Sequence, residues 1–289
     1  MKHANPSSVD RLSALFERFR VRAHMFHNGP LCGVTRFAAA PGLGFLHVMR
    51  RGEMSITHRT RDGAPRRVWV REPSLVFYPR PLAHAFHNAP VEGADFTCAT
   101  LAFDGGAEHP IARALPPLVV LPLARVRGLE HTLALLFAET EALRCGQRLL
   151  ADRLFEVLLL QLLRWLLDHA DDTPPPIGLL AGLAHPRLAG ALVALHERPG
   201  DAWTLERMAQ AAGLSRSAFA AAFKATVGEP PSEYLARWRI ALAQAELQRG
   251  KPVKQLAAEL GYANASALSR VFAQKVGASP RAWKATARH

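Results

Sequence analysis

The C-terminal third of the chain carries one pattern twice. Leu205 to Pro231 reads L-x-x-M-A-x-x-A-G-L-x-x-x-x-F-x-x-x-F-K-x-x-x-G-x-x-P, and Val253 to Pro280 repeats the apolar spacing, the glycine and the closing proline. The copies are offset by 48 residues before the turn (Ala209 to Ala257) and by 49 after it (Phe223 to Phe272). Leu205, Met208, Ala209 and Ala212 fall at i, i+3, i+4 and i+7, one face of a helix. Thr204 is positioned to cap that helix, and Gly213 ends it in a left-handed turn. Leu214 plugs the corner. Ser215 caps a second helix, with Phe219, Ala222 and Phe223 as its buried stripe. Gly228 and Pro231 stop it and start the next helix. The second copy runs through Val253, Leu256, Ala257, Leu260, Gly261 and Tyr262, with one extra residue in its turn before Leu268 and Phe272. Each copy has the grammar of a helix-turn-helix, the unit that lays its second helix in the DNA major groove.

Between the copies, Pro231 to Gln248 predicts one long helix with Leu235, Trp238, Leu242 and Leu247 inward. Arg237 and Arg239 are then placed to reach phosphates. A rigid connector would hold the two recognition helices at a fixed spacing, and successive major-groove faces lie about 34 Å apart. The chain of 289 residues has a net charge of +12. From Pro186 onward 15 Lys/Arg stand against 7 Asp/Glu, a balance of +8, and the preceding 185 residues hold +4. The positive charge therefore gathers where the repeats are, as a DNA footprint requires.

These residues resemble the DNA-binding domain of AraC/XylS-family transcription regulators over about residues 184–285. The most specific stretch is G-Y-A-N-A-S-A-L-S-R-V-F-x-x-x-x-G-x-S-P-x-x-W, Gly261 to Trp283. The resemblance implies recognition helices over about Ser215 to Thr226 and Ala265 to Val276. It implies base-edge positions at Arg216, Ser217, Ala220 and Ala221, then at Ala265, Ser266, Ser269 and Arg270. The first of these helices is alanine-rich, and alanine contacts only apolar features such as a thymine methyl. Arg270 is the best base reader, because arginine bonds guanine bidentately.

Residues 20 to about 105 hold short alternating segments: Gly33 to Ala38, Leu46 to Met49, Met54 to His58, Arg67 to Arg71, Leu75 to Tyr78 and Phe96 to Phe103. Such spacing predicts a β-sandwich or small barrel. Residues 130–169 read as helical, and Asp171 to Gly178, with three consecutive prolines, as a linker. The β region resembles the cupin-like sensor domain that precedes many AraC-type DNA-binding domains. Gly42 to His47 with Gly52 and Glu53 is similar to the first cupin motif, and Pro79 with His84, His87 and Asn88 to the second.

The expected fold is α+β and multidomain. It comprises a cupin-like β-barrel over 1–112, a helical dimerisation segment over 113–170, a linker over 171–183 and an all-α DNA-binding domain over 184–289. His47, Glu53, His84 and His87 have metal-ligand chemistry. The first motif nevertheless offers one histidine where metal cupins usually have two, so no metal and no cofactor are expected. His47 and His84 stand instead as effector-pocket candidates. Certain AraC-type regulators with this kind of cupin look like sensors of oxidants such as hypochlorous acid, with cysteines in similar contexts. That resemblance implies a Cys32/Cys98 redox switch; the other reading of these cysteines is small buried hydrophobes. Cys145 reads as structural or merely exposed.

The expected function is a sequence-specific transcription regulator, not an enzyme. Its partners are double-stranded DNA, RNA polymerase, a small-molecule or oxidant effector and a second copy of the chain. The alternative is a cupin metalloenzyme fused to a DNA-targeting module. With no apolar leader and no run of about 18 apolar residues, a cytoplasmic location without membrane contact is expected.

Overall fold

The computed structural model describes residues 9–59, 63–91, 93–104, 109–141, 143–170 and 177–286. They fall into two compact units: a sheet unit, Val21–His169, and a helical unit made of Met1–Arg20 with Ala170–His289.

The sheet unit has two sheets. One is built from β1 (Val21–Leu31), β3 (Leu43–Arg51), β6 (Ser74–Tyr78), β8 (Ala94–Phe103) and β9 (Val119–Pro122), in the order β1-β8-β3-β6-β9. The other is built from β2 (Val34–Phe37), β4 (Met54–His58), β5 (Arg67–Val70) and β7 (His84–His87), in the order β2-β7-β4-β5. Among the described residues neither sheet closes on itself, so two open sheets stand where a closed β-barrel was expected. The six expected segments are all strands, while β1, β7 and β9 went unread. β9 lies inside the expected helical segment, where Val119-Val-Leu-Pro122 is too short to show a period. β1 hides because polar side chains fill its outward positions, among them Arg22 and His24.

The central strand β3 is buried from Gly44 to Val48 and beyond, so it reads as a near-continuous apolar run. β1 is an edge strand, and an open edge exposes unpaired amides. Here α4 (Gln147–Asp168) covers it. The Asp152 carboxylate accepts the Met25 amide at 2.6 Å and Glu156 accepts that of Ala23 at 3.2 Å. Those two carboxylates sit four residues apart, one turn of helix, which matches two residues of strand. A second helix, α3 (Glu130–Glu141), packs on α4. A short helix α2 (Pro110–Ala114) and a 3₁₀ turn (Leu123–Arg125) link the strands to this pair.

The helical unit begins with α1 (Ser13–Arg18), which is not in the sheet unit as the 1–112 boundary expected. Asp10 accepts the Leu12 and Ser13 amides at 3.1 and 3.0 Å and starts the turn. Leu15 and Phe19 are fully buried. The Phe19 ring meets Trp238 edge-on at 5.1 Å. Arg18 donates to the Glu197 carbonyl at 2.8 Å, and Arg249 donates to the Arg18 carbonyl at 3.3 Å. The signal was present in the sequence: Leu12, Leu15, Phe16 and Phe19 follow helical spacing.

The rest of the helical unit runs α5 (Leu179–Ala184), α6 (Leu188–Glu197), α7 (Leu205–Ala211), α8 (Arg216–Val227), α9 (Pro231–Gln248), α10 (Val253–Glu259), α11 (Ala265–Val276) and α12 (Pro280–Thr286). Of the expected linker 171–183, residues 171–176 lie outside the described residues, and its last part is the helix α5, whose Leu179, Leu180 and Leu183 are buried. Among the described residues no helix is long and apolar enough to cross a membrane.

Candidate nucleic-acid interface

Two helix-turn-helix pairs stand where the repeat placed them: α7 with α8, and α10 with α11. Thr204 and Ser215 are the expected caps, accepting the Arg207 and Ala218 amides. Asn264, unread in the sequence, caps α11 by accepting the Ala267 amide at 2.9 Å. Met208, Ala209, Phe219 and Phe223 are buried in the first pair, and Leu256, Ala257, Leu268 and Phe272 in the second.

A helix turns about 100° per residue, so the buried stripe fixes what faces outward. In α11, Arg270 lies opposite Leu268 and Phe272, flanked one turn away by Ser266 and Gln274, all three exposed. In α8 the corresponding place opposite Phe219 and Phe223 belongs to Ala221, flanked by Ser217 and Ala225, again exposed. The 49-residue offset therefore sets Ser217, Ala221 and Ala225 against Ser266, Arg270 and Gln274. Ala220, Ala265 and Ser269 are half-buried and flank these faces, and Arg216 is exposed at the first turn of α8. Lys224 and Gln274, missed in the sequence reading, are exposed on the same outward sides; period alone, counted from the phenylalanines, finds both.

Both arginines expected to reach phosphates hold partners within the chain. Arg237 is paired with Glu229. Arg239 donates from Nε to the Pro199 carbonyl at 2.7 Å and from Nη2 to that of Asp201 at 2.9 Å, and is half-buried.

His47 and His84 are buried among Phe37, Phe45, Tyr78 and Phe86. The Leu82 carbonyl can only accept, so His84 donates from Nδ1 to it at 2.9 Å. In the neutral ring His84 Nε2 is then an acceptor, and His47 Nε2 donates to it at 3.1 Å. That leaves His47 Nδ1 as a buried acceptor with no hydrogen-bond partner. By the same logic His58 donates from Nδ1 to the Pro65 carbonyl and accepts from the Tyr78 hydroxyl at 2.9 Å.

These residues do not fit a cupin metal centre. Glu53 is exposed, and His87 is hydrogen-bonded to Thr57 at 2.9 Å. Among the described residues no three His, Cys, Asp or Glu side chains converge.

The cysteine pair is not brought together either. Cys98 pairs across the strands with His27 and His47, is fully buried, and has its thiol pushed well above the ordinary range by burial. Cys32 follows Leu31, the last β1 residue paired, opposite Ala94. It is exposed, with Sγ 3.8 Å from the Val91 carbonyl. Five residues of strand separate its position from that of His27, about 17 Å, whereas a disulfide needs Cα atoms within about 7 Å.

Buried histidines make acid destabilising. Burial holds His84 down at about 4 and His196, which accepts or donates at the Tyr234 hydroxyl in the helical unit, at about 3; His47 is also lowered, by burial and then by His84. Between those values and the ordinary 6.5, the unfolded chain binds protons that the folded chain refuses. Stability is therefore full above pH 6.5 and falls as the pH drops below it. His196 alone should cost the helical unit about 2 kcal/mol by pH 5. Urea titrations at pH 8 and pH 5 measure this, and His196→Gln should flatten the difference.

Comparison with known proteins places both units. A cupin family model matches residues 10–168, and a helix-turn-helix domain model matches residues 208–286. A putative AraC-like transcription regulator of Streptomyces antibioticus is 38% identical over 191 residues, 65% of this chain and 61% of that protein. The RCS-specific HTH-type transcriptional activator RclR of Escherichia coli is 26% identical over 216 residues, 73% of this chain and 75% of that one. The crystal structure of the DNA-binding domain of AdpA with a target DNA matches at 28% identity and a TM-score of 0.33, covering 35% of this chain and 93% of that one. The match spans about three-fifths of the length of the Streptomyces relative. The chain belongs to the cupin family and joins its cupin domain to an AraC-type helix-turn-helix domain.

Proposed function

We propose that the protein regulates transcription by reading one face of a DNA duplex with α8 and α11, and that α11 supplies most of the sequence information. The observation that carries this is the pair of equivalent outward positions, Ala221 and Arg270, on helices whose inward faces are alike. An outward arginine free of ion pairs among the described residues offers a bidentate fork, whereas an outward alanine offers a methyl. Arg216 and Lys224 then serve α8 as phosphate contacts, which position without specifying.

Selection from a random duplex pool with the whole protein tests this. The expected site has two blocks about one helical turn apart, one sharply defined around a guanine and one degenerate. Two equally sharp blocks, or no enriched sequence, would overturn the assignment. The exposed Leu135 on α3 and the exposed Leu150 and Val157 on α4 suit pairing with a second copy of the chain. A dimer would return the two-block site twice. Recruitment of RNA polymerase and a cytoplasmic location belong to the same reading.

The cupin unit is proposed to sense a small molecule or an oxidant. On the oxidant reading Cys32 is the reacting thiol, since oxidants reach exposed thiolates and not buried thiols. The similarity to an activator named for its specificity to RCS supports that direction. Brief alkylation of the native protein, followed by mass spectrometry, should label Cys32 and Cys145 and spare Cys98 until denaturant is added. Equal labelling of Cys98 would remove the assignment.

A further inference from the structure

We propose that Arg239 is a positioning residue, a clamp that fixes the distance between the two DNA-reading motifs. The inference rests on the reading that α8 and α11 bind one duplex. Arg239 lies in the connecting helix α9, yet its guanidinium is tied to parts of both motifs. On one side it holds the Pro199 and Asp201 carbonyls of the loop that leads into α7. That loop continues the linkage, because Arg207 of α7 donates to the Ala202 carbonyl at 2.6 Å and pairs with Asp201 at 3.3 Å. On the other side the Arg239 guanidinium carbon sits 5.6 Å from the centre of the Tyr262 ring, in the turn between α10 and α11.

The backbones of the two motifs meet at the same point. A Cβ on Gly200 would lie 2.3 Å from the Glu259 carbonyl oxygen. A Cβ on Gly261 would lie 2.3 Å from the Gly200 carbonyl oxygen and 3.1 Å from Arg239 Nη2. Gly261 also has φ +74°, a left-handed conformation that side chains disfavour. Two glycines thus permit a main-chain junction that any larger residue would open, and Arg239 bonds across it. Both motifs pack on α9, so α9 sets where each begins, and the junction sets the angle between them. Because the guanidinium is held by carbonyls and an aromatic face, its loss should alter geometry between the motifs rather than charge at a phosphate.

The test uses the whole protein and the duplex selected by the wild type. Three labelled probes are titrated: the matched two-block site, the same site with two base pairs inserted between blocks, and the sharp block alone in random flanks. Wild type should prefer matched over misspaced DNA by roughly tenfold or more. Arg239→Gln should lose most of that preference while binding the single block within about twofold of wild type. Gly200→Ala opens the junction from the other side without touching a charge and should give the same signature. Circular dichroism and melting confirm that each variant is folded.

Arg239→Gln with equal losses on all three probes, and a salt slope smaller by about one, would make Arg239 a phosphate contact and overturn the clamp. Full retention of the spacing preference by Arg239→Gln or by folded Gly200→Ala would also overturn it. If the wild type selects no two-block site, the DNA reading itself fails and the clamp with it. If Arg239→Gln does not fold, Gly200→Ala and Arg239→Lys, which keeps charge but not the fork, decide the matter alone.

Discussion

Replacing Phe19 by alanine is expected to destabilise the DNA-binding unit by about 3 kcal/mol or more, while leaving the cupin unit's own unfolding transition in place. Phe19 is fully buried, and its ring packs edge-on against Trp238 of the helix that connects the two motifs. Its removal deletes that contact and opens a cavity beside Trp238, whose ring also lies 4.1 Å from that of His196. The surrounding helices are pinned by α9 and collapse only partly, so a cavity term adds to the lost apolar burial. Denaturant unfolding followed by tryptophan fluorescence separates the outcomes. A lower midpoint in the phase reporting Trp203, Trp238 and Trp283, with specific DNA binding lost in parallel, is the expected result. Phe19→Leu should recover most of the difference. An unchanged midpoint in Phe19→Ala would show that the N-terminal arm is not part of the DNA-binding core.

Arg270→Ala is expected to weaken binding to the selected site by about 1–3 kcal/mol and to relax preference at one base pair. The size follows from geometry. Arg270 projects directly away from the Leu268 and Phe272 stripe and has no ion pair among the described residues, so no intramolecular bond competes with the base edge. Its neighbours Ser266 and Gln274 flank it one turn either way and should show smaller, adjacent base-pair effects. Ala221→Arg in the equivalent position of α8 should add a preference to the degenerate block. Equal loss on selected and random duplexes for Arg270→Ala would instead assign it to phosphate.

The helical unit was legible because repetition doubles the signal. α9 runs over the expected residues, and both recognition helices match within a residue, since Gly228 and Gly277 end them and Ser215 and Asn264 begin them. What periodicity could not reveal was the occupation of a guanidinium. Arg239 reads on a helical wheel as a surface cation, and only tertiary structure brings the Pro199 and Asp201 carbonyls to it. The sheets were half legible for a related reason. Buried central strands announce themselves by apolar runs, but β1 carries its polar residues outward and takes its edge cover from Asp152 and Glu156, more than a hundred residues away. The histidines were recognised as unusual, yet sequence does not say that Phe37, Phe45 and Phe86 fill the space around them. The cysteine pair failed on register, which local pattern does not encode.

The burial of Phe19 also bears on biosynthesis. Arg20 alone separates Phe19 from Val21, the first residue of β1, so the cupin unit is spliced between two pieces of the DNA-binding unit. On the ribosome Phe19 emerges more than two hundred residues before Trp238, a delay of on the order of ten to forty seconds at ordinary elongation rates. Throughout that interval the cupin unit can complete its sheets while Leu15 and Phe19 still lack the helices that bury them. The arm is then a short apolar segment held at the start of a folded strand, a natural ligand for a chaperone and a vulnerable site for a protease. Trimming the first twenty residues would consequently surface as a failure to bind DNA, although those residues precede the cupin unit.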